Sequence, residues 1–569
     1  MRKYLDSYRF TFVFSVIAFF FIGCATVDVV DPSREARGLN GMVASAHPLA
    51  SQVGVDILKA GGNAIDAAVA VGFALGVVEP NASGIGGGGL MLIWFADSQT
   101  VVFIDSRETA PAAATADMFE LDENGKVLPD ARGFNPVVHG GRSVAVPGEV
   151  AGLLSALDKF GTMSRIQVMQ PAIEHAENGI TVSPVLAGII AENYEALATF
   201  PASDKIYLND GFPRVAGETL RNPDLANTLR LIADQGRDAF YYGPVAQSIV
   251  DAVQDDGGLI TMEDLAGFEP SMRTPVRSTY RGYEIISAPP PSSGGTHVIE
   301  LLNIMENFDV KKMGVNSAQS IHVWAEAQKL MYSDRNEFMG DSDFIDVPLK
   351  GLTSKQYARE QFARIDMNSV MDGPANGDPW TVDSGSTTHF SVVDKHGNMV
   401  AYTKTINHFF ASGITTAGTG IILNDQMDDF DKRPGNANSI AGGKRPLSSM
   451  SPTLLLKDGK PFATIGSPGG KRILSTVAML ISDLVDFEMD IQTAINTPRI
   501  NNYESGPLKI ESRIPADVQQ TLSQMGHELQ VKKSYDLYFG GAQGVVIDQK
   551  SGMLHGGADP RRDGKAIGY

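Results

Sequence analysis

Cysteine is almost missing from this chain of 569 residues: Cys24 is the only one, so no internal disulfide can form. Basic residues are in the minority, 47 Lys and Arg against 66 Asp and Glu. The resulting net charge of −19 argues against nucleic acid as a partner and against adhesion to anionic membranes by charge. Long apolar runs are scarce as well, and Phe10–Phe21 is too short to span a membrane comfortably. A phosphate-binding loop is also lacking. Gly84-Ile85-Gly86-Gly87-Gly88-Gly89 has no Lys-Ser/Thr ending, and no helical pattern follows it. What remains is an ordinary soluble composition, 43% hydrophobic and 20% charged. The chain is too long for one simple core, so two lobes or one large domain with additions are expected.

Residues 1–24 read as an export signal. Arg2, Lys3 and Arg9 supply a positive start, the apolar run follows, and Phe21-Ile22-Gly23-Cys24 closes it. This ending resembles a bacterial lipoprotein signal, in which Cys24 is acylated and becomes the mature N-terminus. A plain secretory signal with an incidental cysteine is the alternative. Either way the protein is expected to be exported, and in a cell with two membranes Ala25 after the cysteine points to a periplasmic, outer-membrane lipoprotein, with the membrane touched only through the lipid. Residues 25–40 read as a tether, and the folded part is expected from Gly41.

Helical spacing covers Pro48–Lys59 and stops at Gly61-Gly62. Asn63, with Asp66 three residues on, opens a second helix of small apolar residues ending near Val78, which predicts a buried core helix. Met91–Phe95 and Val101–Asp105 read as strands. Helices are predicted over Val150–Phe160, Gln167–Asn178, Val185–Leu197, Asn222–Gly236 and Ala318–Arg335, and Thr261 with Asp264 forms a capping pattern. Residues 366–386 are polar and rich in breakers, which predicts a mobile segment.

That segment leads into the stretch that organises the chain. Thr388–Val393 reads as a strand, Asp394–Asn398 as a turn, and Met399–Asn407 as a second strand. In an antiparallel pair Val393 faces Met399, and counting outward puts Thr387 opposite Thr405. Thr403, Thr405 and Asn407 share one face by the strand period of two. Thr387, Thr405 and Asn407 thus form a polar face among apolar residues, which is either a site or a solvated strand face.

Thr387-Thr388-His389-Phe390-Ser391-Val392-Val393-Asp394 resembles the TTHxSVVD segment of the γ-glutamyltransferase (γ-glutamyl transpeptidase) family of N-terminal-nucleophile hydrolases. Arg107-Glu108-Thr109-Ala110-Pro111, Ile421–Phe430, Lys444–Thr453, Gly466–Gly470 and Ala558–Gly564 resemble further segments of the same family. The resemblance runs from about Gly41 to Tyr569. It implies an α+β fold, a four-layer αββα sandwich with an additional helical part in the large subunit. It also implies a precursor that cuts itself between Ser386 and Thr387. Residues 41–386 become the large subunit and 387–569 the small subunit of a heterodimer. The cut has a chemical purpose: a hydroxyl is a weak nucleophile, and the α-amine it frees, with a pKa of about 8, can act as its base.

By the same resemblance Thr387 is the nucleophile and Thr405 its hydrogen-bond partner, while Gly469 and Gly470 offer backbone N–H groups to the oxyanion. Arg107, Ser448 and Ser449 hold the substrate α-carboxylate, and Asn407, Gln426 and Asp429 its α-ammonium. The implied activity acts on γ-glutamyl amides such as glutathione. It forms a Thr387 ester resolved by water or by an amino-acid or peptide acceptor, with no metal or organic cofactor. One departure stands out. Asp431–Gly443 is short, polar and free of aromatics where many members carry a longer lid, which implies an open pocket that admits long substrates such as poly-γ-glutamate. The alternatives are a poly-γ-glutamate hydrolase, a related acylase of glutaryl amides (as in cephalosporin side-chain removal), and an uncleaved surface lipoprotein with no activity. Asp429 has no use on a substrate without an α-amine and stands against the acylase.

Overall fold

Every residue of the two hairpin strands is buried, which requires a layer on each face of their sheet. The computed structural model, which describes residues 32–371 and 386–569, supplies both layers. One seven-stranded sheet contains β1 (Gly41–Ser45), β2 (Gly88–Phe95), β3 (Thr100–Asp105) and the hairpin strands β4 (Ser386–Asp394) and β5 (Met399–Asn407). Their spatial order is β1-β4-β5-β2-β3, with Lys565–Gly568 outside β1 and Ser271–Arg273 outside β3. A second seven-stranded sheet has β6 (Thr453–Lys457) and β7 (Lys460–Gly466) near its centre.

The period of two sorts the hairpin's side chains between two cores. Val393, Met399 and Ala401 join Met42, Leu90 and Leu92 against Ile286, Leu454 and Val545 of the second sheet. The alternate residues Phe390, Val392 and Val400 meet α1 (Ala64–Val78) and α2 (Glu149–Phe160). On the far side of the second sheet, Leu455, Ala463 and Ile465 pack under α3 (Gly294–Met305), α4 (Ala318–Phe338) and α5 (Ile473–Val485). The result is the expected αββα sandwich. Additional helices at Arg165–Asn178, Pro223–Gln235 and Gly243–Gln254 extend the first helical layer.

The small-residue helix α1 is buried along its whole length. Its cap is the one read from Asn63 and Asp66: the Asp66 carboxylate accepts from the Asn63 N–H at 2.8 Å, and the Asn63 side chain accepts from the Asp66 N–H at 2.9 Å. Two expectations are corrected. The helix predicted over Val185–Leu197 is two, Pro184–Glu192 and Tyr194–Thr199. Between them the Asn193 side chain donates to the Ile189 carbonyl and competes with the backbone ladder. Part of the tether is also folded. Ala36–Gly38 forms an edge strand on Leu554–Gly556, an arrangement held by backbone hydrogen bonds that leaves little side-chain pattern to read. The signal reading, Cys24 included, and most of segment 366–386 lie outside the described residues.

Candidate active site

The hairpin register follows the count from its turn as far as Thr388 opposite Lys404. There it shifts, and Ser386 pairs with Asn407 where the count gives Ile406. The extra residue lies on β5, and Asn407 absorbs the bend at φ +80°. Thr387 and Thr405 still meet, their hydroxyl oxygens 3.3 Å apart. The Thr405 hydroxyl donates to the Ser386 carbonyl at 2.8 Å and accepts from the Asn407 N–H at 2.8 Å. One hydroxyl therefore touches both the Thr387 side chain and the carbonyl of the preceding peptide bond.

Two glycine positions bring other backbone up to this point. A Cβ on Gly87 would stand 2.0 Å from the Thr405 carbonyl oxygen, so only glycine lets the 84–89 run come in alongside β5, where Gly88 and Gly89 pair with Thr405 and Lys404. A Cβ on Gly466 would meet the His389 ring at 2.4 Å, which seats the end of β7 against β4 two residues from Thr387. The loop that leaves β7 there contains Gly469 at φ +131° and Gly470 at φ +57°. His389 itself bonds Thr403 at 2.8 Å and Ser391 at 3.1 Å. Burial pushes its imidazole down to about 3, so it is neutral and belongs to this packing.

A second cluster follows β3. The Arg107 N–H is fixed by Asp105 at 2.9 Å, and its guanidinium donates to the Pro446 and Leu447 carbonyls at 3.3 and 3.2 Å. The same guanidinium pairs with the Asp429 carboxylate. Arg107 is 1% exposed and the Asp429 side chain 34%, so the pair opens to solvent on the acid side only. Burial pushes the neighbouring Glu108 carboxyl up to about 8 against the pull of Arg107, leaving most of the guanidinium charge to Asp429. Gln426 donates to Asp429 at 2.6 Å, and its buried carbonyl oxygen has no partner among the described residues. Ser448 and Ser449 follow directly on the carbonyls that hold Arg107; the Ser448 hydroxyl accepts from the Met450 N–H at 3.1 Å and the Ser449 hydroxyl from Arg335 at 3.0 Å. The Asn407 amide nitrogen donates to the Asp425 carbonyl at 3.2 Å.

The family model for gamma-glutamyltranspeptidase matches residues 50–569. The chain belongs to the gamma-glutamyltranspeptidase family. It is 43% identical over 547 residues to the glutathione hydrolase proenzyme of Bacillus subtilis (strain 168), covering 93% of this chain and 92% of that one. It is 43% identical over 556 residues to the glutathione hydrolase proenzyme of Escherichia coli (strain K12), covering 95% and 93%. Among solved structures, cephalosporin acylase from Bacillus halodurans aligns with a TM-score of 0.87 at 29% identity, covering 96% of this chain and 98% of that one.

Within this gamma-glutamyltranspeptidase fold the 431–443 loop folds back on itself. Lys444 donates to the Ala437 and Ser439 carbonyls at 2.8 and 2.9 Å, and Asn438 ties the Asp429 carbonyl to the Leu447 N–H at 2.6 and 3.0 Å. Three groups escaped the reading of the sequence. Arg335 on α4 reaches Ser293 and Ser449, and its helical pattern gives no hint of partners so far away in the chain. Glu108 is marked only by its adjacency to Arg107. The third is His408, whose ring lies 2.5 Å from Asp425 and 3.7 Å from Asp428. Burial works to lower its pKa, but Asp425, Asp428 and Asp429 outweigh burial and hold the imidazolium up to about 9.

This has a pH consequence. A histidine raised from 6.5 to about 9 contributes stability that is fully present below pH 6.5 and lost as pH rises through 9. His408→Gln is expected to flatten the decline in thermal stability over that window. Melting curves across it measure the effect, and an unchanged slope would remove His408 as the cause.

Proposed function

We propose that this protein is a self-processing γ-glutamyltransferase and hydrolase of γ-glutamyl amides such as glutathione. The observation that carries the reading is the Arg107–Asp429 pair with the unpartnered Gln426 oxygen beside it. A substrate head bearing both an α-carboxylate and an α-ammonium can enter this pair and exchange one ion pair for two. The carboxylate takes Arg107 with Ser448 and Ser449, and the ammonium takes Asp429, Gln426 and Asn407. A glutaryl head brings only the carboxylate. It would take Arg107 and leave Asp429 without its counter-ion, a cost of roughly 2–5 kcal/mol.

Processing comes first. Thr387 Oγ1 attacks the Ser386 carbonyl carbon while Thr405 donates to the carbonyl oxygen. The C–N bond breaks, the nitrogen takes the proton and becomes the α-amine of Thr387, and water hydrolyses the remaining ester. In turnover that amine takes the Thr387 hydroxyl proton and the oxygen attacks the γ-amide carbonyl. The N–H groups of Gly469 and Gly470 hold the oxyanion, the leaving amine departs, and water or an amino-acid or peptide amine resolves the γ-glutamyl ester. The short 431–443 loop supports access for extended γ-glutamyl chains. The signal pattern supports export and a lipid on Cys24.

The acylase reading has support from the likeness to the Bacillus halodurans cephalosporin acylase, so overall fold does not decide between the two. Paired kinetics on γ-glutamyl- and glutaryl-p-nitroanilide decide it. The expected result is kcat/KM higher for the γ-glutamyl compound by at least about 30-fold, the lower end of that energy range. A preference for the glutaryl compound would make the protein an acylase.

A further inference from the structure

Outside the pocket described above, His322 and Glu326 stand one turn apart on α4, and His527 reaches them from the turn after Ala516–Gln524. All three are buried, and their ligand atoms lie within 4.8 Å of one another. His322 Nδ1 is 2.8 Å from His527 Nε2. The other nitrogen of His322 lies 2.7 Å from the Asp366 carbonyl, which can only accept, so Nε2 carries the proton and Nδ1 turns a lone pair inwards. Glu326 Oε2 accepts from the Met371 N–H at 2.7 Å, and Oε1 faces the Lys329 ammonium at 2.8 Å.

This is the layout of a metal centre with its outer contacts in place. Backbone groups of Asp366 and Met371 fix the outward atoms of His322 and Glu326, as supporting partners do for zinc ligands. Two imidazoles and a carboxylate form a donor set suited to zinc and its neighbours. Lys329 already places a positive charge on the inward carboxylate oxygen, and its side chain reaches the surface at 11% exposure. We propose that His322 Nδ1, His527 Nε2 and Glu326 Oε1 bind a divalent transition cation of the zinc class. On binding, His527 moves its proton from Nε2 to Nδ1, Lys329 turns to solvent, and the two imidazoles part slightly to admit the ion. If the chain is cut before Thr387, as proposed above, His322 and Glu326 lie in one subunit and His527 in the other. The ion then staples the two.

Calorimetric titration of chelator-treated, processed protein with Zn2+ tests the site, and Co2+ spectra report the coordination. One ion per heterodimer is expected, with a rise in melting temperature and the visible bands of low-coordinate Co2+. His527→Gln and Glu326→Gln should each weaken binding by more than about tenfold while leaving turnover unchanged. No stoichiometric binding by the wild type, or equal binding by both variants, overturns the proposal. The uncut Thr387→Ala precursor should bind the ion equally well, which separates the site from the processing reading. For the staple, Zn2+ should raise the urea concentration that parts the subunits of processed protein, and an unchanged midpoint would reject it.

Discussion

Thr387→Ala is expected to leave one uncut chain and to lower γ-glutamyl transfer by at least about 10⁴-fold, the scale seen when a nucleophile is removed. Both losses follow from one atom. Thr387 Oγ1 is the group within reach of Thr405, and Thr405 in turn holds the Ser386 carbonyl, so without it the carbonyl stays polarised but unattacked. No α-amine is then released at residue 387, and the base for turnover never forms. The substitution removes a hydroxyl and a methyl from a strand buried on both faces, so the fold should persist at a modest cost in stability. Intact mass and an anilide assay on protein of wild-type circular dichroism are the measurements. A variant that still splits before residue 387 would show that another group cuts the chain.

Asp429→Asn is expected to lower kcat/KM for γ-glutamyl anilide by roughly 30- to 1,000-fold, the lower part of the span covered by losing one partner of a desolvated charge pair, because Asp429 is only half-buried. The glutaryl compound should gain, because its binding no longer strands a charge at position 429, so the ratio between the two substrates collapses. Asparagine keeps an acceptor for Gln426 and nearly the same volume. In the free variant Arg107 loses its Asp429 partner, and the adjacent Glu108, whose carboxyl burial pushes up to about 8, is drawn towards ionisation. Kinetics on both anilides give the answer. Equal losses on the two would mean that Asp429 positions Arg107 and does not read the ammonium.

What could be read in the sequence is what short-range periodicity controls. The β4–β5 register came from a five-residue turn and a period of two, and it holds until Asn407 takes a positive φ. The buried helix α1 announced itself by composition and cap. The pairing of Arg107 with Asp429, 322 residues apart, was not legible: the family resemblance marked both as substrate-binding groups but not as each other's partner. Arg335 and the His322–Glu326–His527 cluster were missed for the same reason, since spacing along α4 shows which residues share a face but not what faces them. The strand Ala36–Gly38 was missed because an edge strand is held by backbone groups that carry no residue identity.

The strand order of the first sheet sets the history of each molecule. Residues after position 386 supply β5 and all of β4 except its first residue, and these strands lie between β1 and β2, which come from before it; β1 is itself bracketed by β4 and Lys565–Gly568. A cut before Thr387 severs the chain but no layer of the fold, and neither fragment owns the whole of either seven-stranded sheet. Each fragment alone would present bare strand edges. The covalent link that guides this interleaving is consumed by the reaction it makes possible. If the chain is cut there, two separate fragments would have to find each other to rebuild this strand order, so refolding of mature protein is expected to depend on concentration where refolding of the precursor does not.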